Sequence, residues 1–362
     1  MKKPIVLIMA GGTGGHIFPA MAVAQQFINQ GCEIHWLGAQ KGLEQTLIPE
    51  KNWPLHSLKI SGFVNKSFVK KILYVFELAG AVFQAKKIIN KINPDIVIGF
   101  GGFPAAPGGL AAKLSGKWLA IHEQNAVAGK TNKMLAKFAH IILEGFPGAF
   151  VDDVNTQYVG NPIRSEIEPV KWTKSKDVFN ILIVGGSLGA RGINLLLPDV
   201  IDLLDGDNIN VCHQVGRNNK DLIEKLYRSN CKNKSIQNIE VLEFIDDMAA
   251  KYRWADLIVC RSGASTVCEV SHVGMPAIYI PYPYHKDQQQ LKNTEFVVNA
   301  KGAFVCEEFD TQATTLAQKI NNLITNNELL NKMSVQALTC AKQQSAQIIV
   351  QQCLKLSNEY YL

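Results

Sequence analysis

Twice in this 362-residue chain an apolar, β-branched run ends in a glycine loop and opens onto a helical pattern: IVLIMAGGTGGH from Ile5 and NILIVGGSLGAR from Asn180. Strand, glycine turn and helix in that order are the opening unit of a parallel α/β sheet. The second opening near mid-chain predicts two similarly built halves rather than one continuous sheet. Length agrees, since roughly 150 residues per domain is the usual scale.

The rest of the chain alternates in the same way. In the first half, strands are expected at Ile5–Met9, Glu33–Leu37, Leu55–Ile60, Asp95–Gly99, Lys117–Ile121 and His140–Leu143. Helices fit between them, including Phe18–Asn29, Lys66–Lys91 and Ala128–Phe138. In QYVGNPIR, Gly160 and Pro162 break any regular element, so the boundary between domains belongs there. Beyond it, strands are expected at Phe179–Val184, Asn210–Gln214, Glu240–Glu243, Asp256–Cys260 and Ala277–Pro281, with a helix at Ile193–Leu204. Residues 312–359 are helical in pattern with no further strand. The expected organisation is therefore an α/β fold of two Rossmann-like parallel-sheet domains facing a cleft. Residues 1–160 form the first domain and 165–340 the second, and 341–362 a C-terminal helix packing back on the first.

Composition narrows the function. A chain with 47% hydrophobic and 19% charged residues is ordinarily globular. Its 37 basic and 31 acidic residues leave +6, too mild for a nucleic-acid binder and suited to an anionic substrate or membrane surface. The eight cysteines (Cys32, Cys212, Cys231, Cys260, Cys268, Cys306, Cys340 and Cys353) include no CxxC pair and sit mostly in apolar runs. They read as free thiols in a reducing compartment, neither zinc ligands nor a disulfide framework. MKK ahead of an apolar stretch invites a signal-peptide reading, but GGTGGH interrupts the run. No stretch supplies about 18 uncharged apolar residues for a membrane span.

The glycine loops are not dinucleotide sites. From Gly12 the pattern G-x-G-x-x-G meets Ile17 where its third glycine belongs, and EIHWLGAQ ends without a carboxylate for a ribose. Neither loop contains GxxxxGK(S/T), so no cofactor is expected. Glycines at a helix start do let backbone N–H groups approach a phosphate, where the helix dipole favours negative charge. Gly11–Gly15, Gly101–Gly102 with Gly108–Gly109, Gly185–Gly189 and Ser262–Gly263 all read as such loops. Any one of them alone would serve equally as a tight βα turn.

Several segments are richer than turns require: HEQN from His122, GNPIR ending at Arg164, FIDDM from Phe244, CRSGASTVCE from Cys260, and YPYHKDQQQ from Tyr282. With GGTGGH and GGSxGA, their order and spacing resemble, over nearly the full chain, the MurG-type inverting glycosyltransferases of peptidoglycan assembly. Those enzymes move N-acetylglucosamine from UDP-N-acetylglucosamine to the muramoyl 4-hydroxyl of undecaprenyl-diphospho-muramoyl-pentapeptide, lipid I to lipid II. The resemblance implies a GT-B fold and a hexosyltransferase with no active-site metal. It also implies a peripheral place on the cytoplasmic face of the bacterial inner membrane. By position it implies that Ile245 meets the uracil, Glu269 the ribose hydroxyls, and Gln288 and Gln289 the sugar. Ala264, Ser265, Thr266, Val267 and Cys268 start the helix facing the diphosphate. Ser187 and Arg164 contribute to the nucleotide site, with Thr13, Gly14, Gly15 and Asn125 closing it from the other domain. The chain departs from the family at Phe103, Ala105 and Ala106, where tyrosine and serine are frequent, and at Leu188, where glutamine is.

An inverting transfer needs a base for the acceptor hydroxyl. Histidine is the side chain suited to that proton transfer near neutral pH, and His16, on the first glycine loop, is the first candidate. Glu123 is the second, and it could instead orient the histidine or bind the acceptor. His122 and His285 read as scaffold. SFVKKILYVFELAGAVFQAKKIINK (Ser67–Lys91) places Phe68, Ile72, Val75, Phe76, Ala79 and Phe83 at helical spacing, with lysines at both ends. It reads as a crossover helix with more apolar surface than one buried face uses, suited to an anionic lipid interface. Three other readings fit the same residues: a UDP-sugar transferase with a soluble acceptor, a UDP-sugar 2-epimerase, and a nucleotide-sugar binding protein without turnover.

Overall fold

The computed structural model describes residues 3–60, 68–150, 155–170, 178–186, 189–206 and 208–361, with the backbone alone for 68–74. The chain forms two compact units, Met1–Arg164 with Lys342–Leu362, and Ser165–Ala341.

The first unit is a parallel sheet of seven strands: β1 Ile5–Met9, β2 Glu33–Ala39, β3 Leu55–Leu58, β4 Ile96–Gly99, β5 Leu119–Glu123, β6 Ile141–Glu144 and β7 Thr156–Tyr158. Their spatial order is β3-β2-β1-β4-β5-β6-β7. The strands read as continuous apolar runs because helices cover both faces. Side chains alternate across the pleat. Val6, Ile8, Ile96 and Ile98 join one core with Val23, Ala24 and Phe27 of helix Gly14–Asn29. Leu7, Met9 and Val97 join the other with Ala81, Ala85 and Ile89 of helix Phe68–Ile92. The last helix, Ser345–Tyr361, places Ile349, Val350 and Cys353 in the first of these cores, fully buried. Burial stabilises such a side chain by about 1.5–3 kcal/mol, enough to hold the end of the chain on this unit.

The second unit repeats the scheme with β8 Phe179–Val184, β9 Ile209–Gln214, β10 Ile236–Leu242, β11 Leu257–Cys260, β12 Ala277–Tyr279 and β13 Ala303–Val305. Their order is β10-β9-β8-β11-β12-β13, again all parallel. In both sheets the order reverses beside the first strand, between β1 and β4 and between β8 and β11. That reversal opens a crevice at the carboxyl ends of the strands, where ligands of such sheets bind.

The structure differs from the sequence reading in several details. β7 and β13 are extra edge strands of three residues each. β10 begins at Ile236 rather than Glu240, and the first helix begins at Gly14 rather than Phe18. Gly108 and Gly109 are not a phosphate loop. They lie buried inside helix Ala105–Leu114, where an added Cβ would reach Met9 Sδ at 2.4 Å and Leu135 Cδ2 at 2.5 Å. Their job is close packing of that helix on the sheet and its neighbour.

Candidate functional site

In the first unit the loops after β1 and β4 meet at the strand-order reversal. Phe100 N–H donates to the Met9 carbonyl at 2.8 Å. Gly102, at φ +78°, lies so close to the first loop that a Cβ would stand 2.2 Å from the Gly11 carbonyl oxygen. No residue with a side chain fits there. Glu44, fully buried, braces the first loop from below: Gly12 N–H donates to Oε2 and Ala39 N–H to Oε1, both at 2.9 Å.

Thr13 caps helix Gly14–Asn29 by its backbone, its carbonyl accepting from the His16 and Ile17 amides. Gly14 and Gly15 occupy the first turn, whose N–H groups have no intrahelical partner. The half-buried His16 ring lies against Gly101, where a Cβ would sit 3.1 Å from the ring. Its Nδ1 is 2.9 Å from Gln124 Oε1. Gln124 in turn reaches His122, which is entirely buried at the end of β5 and hydrogen-bonded through Nε2 to the Gly160 carbonyl. Burial pushes the His122 pKa down to about 4, so the ring is neutral near pH 7.

Glu123 is only 2% exposed and its oxygens face its own loop. Oε1 accepts from the Asn125 backbone and side-chain amides, and Oε2 from Gly129 N–H and Asn132 Nδ2. A carboxylate with four donors shapes the loop that presents Asn125, and its lone pairs are already occupied. Arg164 ends the unit with its guanidinium 5.5 Å from the Phe18 ring centroid.

The second unit holds a cavity of about 770 Å³, lined by Gly185, Gly186, Gly189–Gly192, Arg261, Gly263, Thr266, Tyr282, Tyr284 and Glu308 among others. That is the size of a small-molecule site. Its floor is the carboxyl end of β8 and β11 and the start of helix Ala264–Val273. Ala264, Ser265 and Thr266 form the first turn of that helix, and among the described residues the buried Ser265 hydroxyl has no hydrogen-bond partner. Val267 points into the protein, fully buried, with its N–H bonded to the Gly263 carbonyl, and Cys268 follows it in the second turn. Only the first three residues therefore offer amides to an anion.

Glu269, 9% exposed, accepts from the Tyr252 hydroxyl at 3.2 Å. Ile245 is half-buried in the connection from β10 to helix Met248–Trp254, which Asp247 caps by accepting from Ala250 N–H. Gln288 is exposed and left-handed at φ +50°, and the half-buried Gln289 opens a four-residue helix. Ser187 and Leu188 lie outside the described residues. Around them the glycine loop offers space rather than donors: the Gly185, Gly186 and Gly189 N–H groups are bonded to the Gln214 carbonyl, Gln214 Oε1 and the Gly186 carbonyl.

Three residues that the sequence reading passed over organise this unit. Gln214, buried at the end of β9, donates from Nε2 to the Gly186 and Glu243 carbonyls while accepting from Gly186 N–H, tying the glycine loop to the segment before Ile245. Arg261 donates to the Ile280 and Pro281 carbonyls and pairs with Glu308. A polar residue at the carboxyl end of an apolar strand was the available signal for Gln214 and Arg261. Nothing local marked Glu308. Among the described residues no group of His, Cys, Asp and Glu side chains could hold a metal.

Two parallel sheets of this order, each with a glycine loop at its reversal point, define a GT-B-class nucleotide-sugar enzyme. The glycosyltransferase family 28 N-terminal domain matches residues 6–143, and the family 28 C-terminal domain matches residues 180–352. The chain belongs to glycosyltransferase family 28. It is 42% identical to the UDP-N-acetylglucosamine--N-acetylmuramyl-(pentapeptide) pyrophosphoryl-undecaprenol N-acetylglucosamine transferase of Haemophilus ducreyi, over 99% of this chain and all of that one. The enzyme of the same name from Actinobacillus pleuropneumoniae is also 42% identical, over 96% and 98% of the two chains. A crystal structure of MurG from Acinetobacter baumannii superimposes with a TM-score of 0.82 at 36% identity, covering 97% of this chain and 99% of that one.

Proposed function

We propose that this chain transfers N-acetylglucosamine from UDP-N-acetylglucosamine to the muramoyl hydroxyl of a lipid-linked muramoyl-pentapeptide, forming the disaccharide-peptide lipid used in peptidoglycan synthesis. The observation that carries this reading is the second unit's cavity. It is glycine-lined and has a helix N-terminus on its floor, and the same helix carries the buried carboxylate of Glu269 one turn further along. A helix N-terminus suits a diphosphate and a carboxylate suits two ribose hydroxyls. The relatives' names supply the sugar and the acceptor.

In the chemical step the acceptor oxygen attacks the anomeric carbon of the sugar from the face opposite UDP. The acceptor's proton passes to His16 Nε2. The bond from the anomeric carbon to the diphosphate oxygen breaks, and UDP leaves with the electron pair, inverting the centre. The first-turn amides of Ala264, Ser265 and Thr266 stabilise the charge that gathers on the diphosphate. Gln288 and Gln289, uncharged, suit the hydroxyls of a neutral sugar, and Ile245 the uracil edge. Glu123 holds the Asn125 loop in shape, and Asn125, Thr13, Gly14, Gly15 and Arg164 belong to substrate binding.

The lipid acceptor requires a membrane surface. No helix among the described residues is long and apolar enough to cross one. Helix Phe68–Ile92 instead turns an apolar stripe outward: Val75, Phe76 and Phe83 are 63%, 71% and 62% exposed, with Lys87 4.6 Å over the Phe83 ring. Aromatic groups beside lysines fit a peripheral contact with anionic lipid. The test of the chemical assignment is His16→Ala. Turnover should fall by roughly 100-fold or more while UDP binding, measured by calorimetry, stays within about twofold. Retained turnover would remove His16 from the reaction.

A further inference from the structure

Among the described residues the His16 ring makes one hydrogen bond, and the chemistry of that bond is determined from its far end. The Gly160 carbonyl can only accept, so His122, 3.0 Å away through Nε2, carries its proton there. A neutral His122 then presents Nδ1 as an acceptor. One end of the Gln124 amide faces that Nδ1 at 2.9 Å and the His122 carbonyl oxygen at 3.0 Å. Two acceptors at one end require the NH2 group there. The other end is therefore the amide oxygen, and it stands 2.9 Å from His16 Nδ1. An acceptor oxygen requires Nδ1–H. Asn161, 3% exposed, donates from Nδ2 to the Gln124 backbone carbonyl at 2.8 Å and fixes the amide's base.

We infer that Gln124 is a positioning residue that locks His16 in the Nδ1–H tautomer, so that the lone pair needed to accept a proton is held on Nε2. An unconstrained neutral imidazole favours the opposite tautomer, with the proton on Nε2 and the lone pair on the nitrogen that here faces Gln124. The chain Gly160–His122–Gln124–His16 supplies the orienting partner that a catalytic histidine needs, but from an uncharged amide instead of a carboxylate. His122 never touches the substrate in this scheme. Its neutrality is what gives the relay a single direction. The inference rests on the assignment of His16 as the base and adds why one of its two nitrogens is the competent one.

The experiment is nitrogen-15 NMR of the protein labelled at its histidine rings, with His16 assigned by difference against His16→Ala. In the wild type at neutral pH, His16 Nδ1 should resonate as a protonated nitrogen and Nε2 as a pyridine-type one. Gln124→Met, close in shape but unable to hydrogen-bond, should move the proton to Nε2 and lower kcat about tenfold or more, with KM for the UDP-sugar little changed. Gln124→Glu, when protonated on the oxygen that faces His122, can still accept from Nδ1–H through its other oxygen and should retain the wild-type tautomer. A wild-type His16 protonated on Nε2 would overturn the inference without any variant being made. So would a Gln124→Met protein with tautomer and kcat both unchanged. Turnover of His16→Ala is read separately: if it is retained while the wild-type spectrum shows Nδ1–H, the assignment of the base fails and the tautomer lock stands.

Discussion

Glu44→Gln changes one buried oxygen to an NH2 group at the point that braces the first glycine loop. In the wild type both carboxylate oxygens accept from backbone N–H groups, Gly12 and Ala39, each at 2.9 Å. The amide can serve only one of them. The other N–H then faces a donor in a site with no exposure to solvent. The surroundings cannot give way, because a Cβ on Gly11 or Gly42 would already lie 2.4 or 2.2 Å from this carboxylate. A hydrogen bond to a charged group contributes about 1.5–3 kcal/mol and an orphaned buried donor costs about 1–3. These overlap, so the substitution should destabilise the first unit by about 2–4 kcal/mol. For a unit of this size that lowers its melting temperature by roughly 5–15 °C. Calorimetry reads the transition, and hydrogen exchange should show protection lost at whichever of the Gly12 and Ala39 amides is orphaned. Because the same loop leads into Thr13 and His16, kcat should fall as well. An unchanged transition with both amides still protected would refute the reasoning.

Three further outcomes follow from the same geometry. If Glu269 accepts from the ribose as proposed, Glu269→Gln should raise KM for UDP-N-acetylglucosamine roughly 10- to 150-fold in initial-rate assays; an unchanged KM would exclude Glu269 from the donor site. His213 in the second unit is fully buried, and desolvation pushes its pKa down to about 3 from the ordinary 6.5. Its contribution to stability is thus complete above about pH 6.5 and is lost as acid protonates the unfolded chain, by about 2 kcal/mol between pH 7 and pH 5. Urea unfolding of His213→Asn should show that much less pH dependence than the wild type, and equal slopes would contradict it. Replacing Phe76 and Phe83 by serine should weaken sedimentation with anionic vesicles by about tenfold or more per side chain, at about 1.5 kcal/mol each, and unchanged binding would place the membrane contact elsewhere.

The strands that open the two sheets were legible because each is a short apolar run leading into a glycine loop, as in Ile5–Met9 and Phe179–Val184. β7 and β13 were not, since three residues at a sheet edge carry too little pattern. Glycine was read too generously: Gly108 and Gly109 look like a loop in PAAPGGL, yet they pack a helix against Met9 and Leu135. The motif residues could be named from their series. Their partners could not. Gln124 lies in a quoted motif, but its part depends on His16, 108 positions earlier, and on the Gly160 carbonyl through His122. Glu44 in KGLEQ looks like an exposed helical charge, and only the turn that folds it beneath Gly12 makes it a brace. Such roles are set by tertiary hydrogen bonds, which leave no local periodicity to read.

The central claim is tested most directly by incubating the purified chain with radiolabelled UDP-N-acetylglucosamine and a lipid-linked muramoyl-pentapeptide, then counting label in the extracted lipid. Label should enter the lipid at a rate that falls with His16→Ala and, at limiting donor, with Glu269→Gln. A protein that binds the UDP-sugar and leaves the lipid unlabelled would contradict the acceptor assignment and, with it, the proposed function.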